Sequence, residues 1–179
     1  MKKSTVMTAL FLLFAAASGR AAEYSRANAG WYIGFGIGWG TAWAYAESAS
    51  AEDRGGLGMF KVGGVLGPNL LLGFEGGSWF SWAEDSEVSF SHNDCMLTYF
   101  PWSEAGFFVK AGAGLGWIGV RSGDSWGKSR AGFDVRVGTG YEFQLGRSFN
   151  LGVEGVWSST FFEEIHLGDA GIMMTFTWY

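Results

Sequence analysis

The sequence predicts an all-β chain, an eight-stranded antiparallel up-and-down transmembrane β-barrel. Three observations predict it. Apolar residues recur with a period of two in one segment after another, charged residues inside those segments fall on the opposite face, and the connections alternate between tight turns and longer stretches. Composition agrees, with 30 Gly, 10 Trp, 16 Phe and 6 Tyr against 2 Pro and 1 Cys, and only 16% charged residues in 179. A disordered chain would lack the aromatics, and an ordinary soluble domain would carry about 25% charge. The single Cys excludes an internal disulfide framework and a Cys-rich metal site. An excess of acidic over basic residues, 17 against 12, argues against a nucleic-acid partner, because few cations are present to displace counterions from phosphates.

Lys2 and Lys3 precede the apolar run Ala9 to Ala17, and small residues follow as far as Ala22 before Glu23. This is the pattern of a secretory signal peptide, residues 1–22, too short in its apolar centre to serve as a membrane anchor. Residues 23–179 are then the barrel domain, and the loss of Lys2, Lys3 and Arg20 leaves it more acidic still.

The first strand sets Trp31, Ile33, Phe35, Ile37 and Trp39 against Tyr32 and Gly34, Gly36, Gly38 and Gly40. Successive strand side chains point to opposite faces, so one face is greasy and the other nearly bare. The second strand places Phe60, Val62 and Leu66 opposite Lys61 and Gly63. The third alternates Leu70, Leu72 and Phe74 with Leu71, Gly73 and Glu75. A fourth, about Phe90 to Phe100, is read with Cys95, Leu97 and Tyr99 outward, because the other register would turn Asp94 toward hydrocarbon. The fifth alternates Val109, Ala111, Ala113 and Leu115 with Lys110, Gly112 and Gly114. The sixth alternates Phe133, Val135, Val137 and Tyr141 with Asp134, Arg136 and Glu142. The seventh alternates Leu151, Val153 and Trp157 with Gly152, Glu154 and Val156, and the last sets Ile172, Met174, Phe176 and Trp178 against Met173, Thr175 and Thr177.

The bare face decides the solvent. A two-layer sandwich would expose it to water and fill it with Lys, Thr and Ser, whereas here it is mostly Gly with a few charges, as a narrow closed barrel requires. Lys61, Glu75, Asp94, Lys110, Asp134, Arg136, Glu142 and Glu154 all fall on it. An isolated charge in a narrow interior is costly, so these eight are expected to form one connected network that blocks water and ions; a solvated column leaving a thin polar channel is the alternative. Counting from the turns pairs Lys61 with Glu75, Arg136 with Glu154 and Lys110 with Glu142.

Aromatic residues supply a second check, since Trp and Tyr favour the membrane interface. Trp31 and Trp39 are separated by about 27 Å of strand, close to the apolar band once the strand is tilted. Two girdles are expected, from Trp31, Trp39, Trp79, Trp82, Trp102, Trp117, Trp157 and Trp178. Turns at residues 67–69, 101–105 and 145–148 are tight. The connections at residues 41–56, 81–87, 121–130 and 158–169 are longer, as outer loops are in barrels of the outer membrane.

The strand Gly30-Trp31-Tyr32-Ile33-Gly34-Phe35-Gly36, the Gly-rich segment Phe107 to Gly114 and the ending Phe176-Thr177-Trp178-Tyr179 resemble the OmpA/OmpX-type eight-stranded outer-membrane β-barrel family, and the resemblance covers essentially residues 23–179. It implies a porin-like Gram-negative outer-membrane protein in contact with lipid and lipopolysaccharide. It further implies that Phe176, Trp178 and Tyr179 carry the C-terminal signal read by the barrel assembly machinery. The chain is expected to be monomeric and to be the barrel alone, without an appended cell-wall-binding domain.

Other motifs carry less. Gly114 to Gly119 matches the dinucleotide G-x-G-x-x-G, but its glycines continue a period of two and no helix follows. His92 and His166 lack the spacing of a metal pair, Cys95 reads as a small apolar side chain, and Glu52-Asp53 and Glu84-Asp85 read as solvated faces. No cofactor, metal or catalytic residue is expected. The expected role is structural or surface-interactive, in membrane integrity or adhesion through the exposed loops. A narrow porin is the first alternative. A lipid-A-modifying enzyme is the second, for which Ser158, Ser159, Glu163, Glu164 and His166 near one rim would supply the groups.

Overall fold

A computed structural model describes residues 25–46, 49–83, 86–122, 125–126 and 130–179. The signal-peptide expectation at residues 1–22, the Glu84-Asp85 pair and the side chain of Trp82 lie outside what is described. After one short 3₁₀ turn at Ser25–Asn28 come eight long strands: β1 (Trp31–Ala46), β2 (Ala49–Gly67), β3 (Leu70–Ala83), β4 (Ser86–Tyr99), β5 (Phe107–Ser122), β6 (Ala131–Gln144), β7 (Phe149–Phe161) and β8 (Ile165–Trp178). Each pairs antiparallel with the next, and β1 pairs with β8, so the sheet closes on itself. Closure removes the unpaired edge, which no lipid environment could satisfy.

Register partners followed around the wall run from Thr177 of β8 through Gly34, Lys61, Glu75, Asp94, Gly114, Asp134 and Thr160, and return to β8 at Leu167, ten residues from the start. A stagger of that size tilts the strands to the barrel axis. Residues in register are therefore not level with one another, and long inward side chains find level partners on other walls.

Alternation sorts the two faces. Ile172 is 67% exposed, Ile37 59% and Leu115 50%, in an apolar belt around the outside, while Tyr32, Phe108, Met96 and Met173 are buried inside. A continuous apolar surface of this extent is a lipid-facing surface. On β4, Asp94, Met96 and Thr98 point inward, and Cys95, Leu97 and Tyr99 point outward. Inside, one apolar cluster of Tyr32, Leu71, Phe100 and Phe108 closes the end at the tight turns, and another of Leu57, Met59, Trp79, Phe90, Val156 and Met173 lies toward the far end.

Two expectations are corrected. The connections at residues 41–56, 81–87 and 158–169 are largely strand, not loop: β1 and β2 stay paired to Ala46↔Ala49, β3 and β4 to Ala83↔Ser86, and β7 and β8 to Phe161↔His166. Apolar alternation stops where lipid stops, but the backbone ladder needs no apolar side chain and continues into water. Trp79 is the second correction. It is 3% exposed and sits in the inner cluster, not in a girdle. It shares the parity of Leu71, Gly73, Glu75 and Gly77, so the pleat directs it inward.

Candidate functional site: the barrel interior

The side chains of the inner face are long and their neighbours are often Gly, for a steric reason. Lys61 lies across Gly34, its register partner, where a Cβ would come within 2.9 Å of the lysine Cε; Lys110 lies across Gly138 at the same 2.9 Å. Tyr32 covers Gly63 and Gly73 in the same manner. Each large side chain takes the room its neighbour gives up.

All eight residues of the expected interior network are buried, none more than 6% exposed. Their partners differ from those that turn counting suggests. Lys61 and Glu75 are in register, yet Lys61 Nζ faces Glu142 Oε1 at 3.6 Å, and Glu75 Oε2 accepts from Lys110 Nζ at 2.6 Å. Lys110 also pairs with Glu154, while Arg136 turns to His92. Strand tilt explains the exchange, because it makes partners of groups that turn counting does not align. Glu142 is a hub, accepting from Asn150 Nδ2 at 3.2 Å, Thr177 Oγ1 at 3.3 Å and Tyr179 Oη at 2.9 Å.

Arg26 escaped sequence reading, since a lone Arg ahead of the first strand carries no periodic signal. It is fully buried, and its guanidinium donates to the carbonyls of Pro68 at 3.0 Å, Ser103 at 2.8 Å and Ala105 at 2.6 Å, lying 3.8 Å over the Phe100 ring. It thereby ties the β2–β3 and β4–β5 turns together beneath the barrel.

The C-terminal residues divide between faces. Phe176 and Trp178 stack against Phe35, with ring centroids at 4.9 and 5.6 Å, whereas Tyr179 turns in toward Tyr32 and Glu142. Of the girdle set, Trp31, Trp39, Trp102, Trp157 and Trp178 are exposed and Trp117 is half-buried. Near the opposite rim, Ser159 Oγ and His166 Nε2 are hydrogen-bonded, with the imidazole stacked on Phe161 at 4.7 Å. Ser158 instead bonds Asp169 on the inward side, and Glu163 and Glu164 stay exposed at the hairpin tip, where Glu164 faces Arg130 at 3.7 Å.

Among solved structures, the chain is similar to Neisserial surface protein A, with 15% identity over 82% of this chain and 96% of that one and a TM-score of 0.63. It is also similar to Ail, the attachment invasion locus protein of Yersinia pestis, with 13% identity over 84% and 100% of the two chains and a TM-score of 0.52. The structure of Ail with the heparin analogue sucrose octasulfate matches at 12% identity, 84% and 100% coverage and a TM-score of 0.52. The fold is that of an outer-membrane β-barrel. Identity this low carries fold and nothing finer, and the apolar belt supplies the independent reason to place the barrel in a bilayer. No protein-family model matches the sequence, and no curated protein sequence does.

The tight turns mark the periplasmic end of such a barrel and the long hairpins its outer end. From the periplasmic end outward the lumen then holds Arg26, the Tyr32–Phe108 cluster with Tyr179, the Lys61 and Lys110 ion pairs, the His92–Arg136 group and the Trp79–Phe90 cluster.

Proposed function

We propose that this small outer-membrane barrel is a plugged, non-enzymatic scaffold that presents its outer hairpins to the surroundings, with a structural or surface-interaction role. One observation carries the reading: the lumen is filled in layers by paired charges and aromatic side chains, while the strands continue past the apolar belt as paired hairpins. A filled lumen favours this role over a narrow porin. The attachment protein Ail supports it by fold alone. A polyanion of the kind bound to Ail is not the partner expected here, because the acidic excess, 17 residues against 12, would repel it. The lipid-modifying alternative gains the Ser159–His166 bond, but Ser159 is 1% exposed and both hairpin glutamates stand in water, so the geometry favours neither an accessible nucleophile nor a glutamate that orients His166.

The experiment is single-channel recording on the purified barrel in planar bilayers. A flat baseline is expected across the physiological range of salt. Stepwise conductance from correctly folded, heat-modifiable protein would replace this reading with the porin.

A further inference from the structure

Asp94, Gly114 and Asp134 occupy one register row on β4, β5 and β6. Gly114 lets strand β4 and the Asp94 carboxyl lie close over it: a Cβ there would run into the Asn93 carbonyl and would meet Asp94 Oδ1 at 2.6 Å. His92, two residues before Asp94 on the same strand and so on the same inward face, brings Nδ1 to 2.8 Å from Asp94 Oδ2. One ligand atom from each of His92, Asp94 and Asp134 lies within 4.8 Å of the others, and the three residues are at most 2% exposed.

Two further observations point to a cation as the partner of these acids. The carboxyls of Asp94 and Asp134 meet each other, and no N–H or O–H of another residue reaches Asp94 Oδ1 or Asp134 Oδ2, nor Oδ2 of the neighbouring Asp169. A carboxylate oxygen left so is costly. Charge is also unbalanced. Lys61 and Lys110 answer Glu142, Glu75 and Glu154 lower in the lumen, but in the outer half Arg136 alone stands with Asp94, Asp134 and Asp169 among the described residues. The excess there is of the size a divalent ion would cancel.

We infer that His92, Asp94 and Asp134 form a binding site for a zinc-class divalent cation inside the outer half of the barrel. One imidazole nitrogen and two carboxylate oxygens are the donor set of borderline metals, and a hard cation such as Ca²⁺ would use oxygen alone. The site departs from the sequence expectation of no metal, which tested His spacing along a helix and not the i, i+2 spacing of one strand face. Arg136 competes with the ion. Its Nη1 donates to His92 Nε2, so the imidazole carries its proton on Nδ1 toward Asp94; binding at Nδ1 expels that proton and returns it to Nε2, from which the guanidinium must then withdraw. The His92 ring lies 6.1 Å from that of Phe90, which with Trp79, Val88, Glu52 and Asp53 lines a cavity toward the outer end.

The test uses the full barrel, refolded in detergent with and without Zn²⁺, desalted and assayed for bound metal. One zinc per chain is expected, at least tenfold less in His92→Ala and Asp134→Asn, with X-ray absorption showing mixed nitrogen and oxygen ligands. Arg136→Gln is expected to bind at least as tightly as the wild type. Should a ligand variant fail to refold, the wild-type stoichiometry and absorption spectrum still decide. Absence of stoichiometric zinc in folded wild type would overturn the site. Zinc retained undiminished by the folded variants would mean adventitious binding to the exposed outer acids and would overturn it equally. A flat or conducting bilayer trace bears on the plug and not on this site.

Discussion

Glu142 joins four groups that approach from three strands and the C-terminus: Lys61, Asn150, Thr177 and Tyr179. Removing it strands a buried ammonium, and breaking one partner of a buried pair costs about 3–5 kcal/mol, more than the pair itself contributes. Glu142→Ala should therefore lower the urea midpoint of the detergent-folded barrel sharply, while the double replacement Lys61→Met with Glu142→Leu should recover much of the loss. If the single variant unfolds at the wild-type midpoint, the interior is wet enough to solvate Lys61 and the plug is not dry. At this scale the sequence was readable for parity but not for partnership. The pleat told which side Lys61 and Glu75 face; it could not tell that tilt would hand Lys61 to Glu142, nor that Arg26, with no periodic neighbour, would reach three carbonyls.

Among elements, the periplasmic turns and the outer hairpins are held by different devices. The turn between β2 and β3 and that between β4 and β5 do not share a strand pair, and Arg26 spans them through the carbonyls of Pro68, Ser103 and Ala105. Charge-assisted hydrogen bonds of this kind contribute about 1.5–3 kcal/mol each before coupling. Arg26→Ala should speed amide exchange at residues 102–106 and at Asn69 far more than at the outer hairpins; uniform exchange would mean the cap carries no load. Outside the belt, the β2 and β3 extensions are clasped by Asp53, which accepts from Ser81 Oγ at 2.5 Å and from the Arg54 N–H at 2.7 Å. The Ser81 hydroxyl first, and the Arg54 N–H second, hold this carboxyl below the usual carboxylate range. Its folded-state pKa is thus below the unfolded value. The clasp is fully present above the ordinary Asp range and lost as pH falls through the folded-state value. Lowering the pH from 6 to 3 should loosen the residue 50–56 segment by amide exchange, and Ser81→Ala should already be loose at pH 6. These extensions were hidden in the sequence because Ala49-Ser50-Ala51-Glu52 alternates only small alanines and no large apolar residue, though its backbone pairs as well as any.

For the whole molecule, the architecture was legible because one physical constraint acts on every strand at once. Hydrocarbon outside and a narrow lumen inside force the same parity from Trp31 to Trp178, and no single strand has to be read correctly for the pattern to emerge. The metal-type cluster was not legible, since it needs the row that joins Asp94 to Asp134 across Gly114. The same constraint gives the sharpest global prediction. Val153, 45% exposed and in register with Met174, lies midway along the belt, and Leu66, 62% exposed, lies beside the periplasmic turn. Arg at the bilayer midplane costs about 2–4 kcal/mol, falling to about 0–1 near the interface. Val153→Arg should then destabilise the barrel in lipid vesicles by that larger amount and Leu66→Arg hardly at all, as read from urea titration of tryptophan fluorescence. In a barrel whose outer face met water, the two substitutions would cost alike, because a surface Arg is indifferent to its height. Equal effects in vesicles would thus remove the bilayer from the account while leaving the closed sheet intact, and a large gap between the two would fix the depth at which the protein sits.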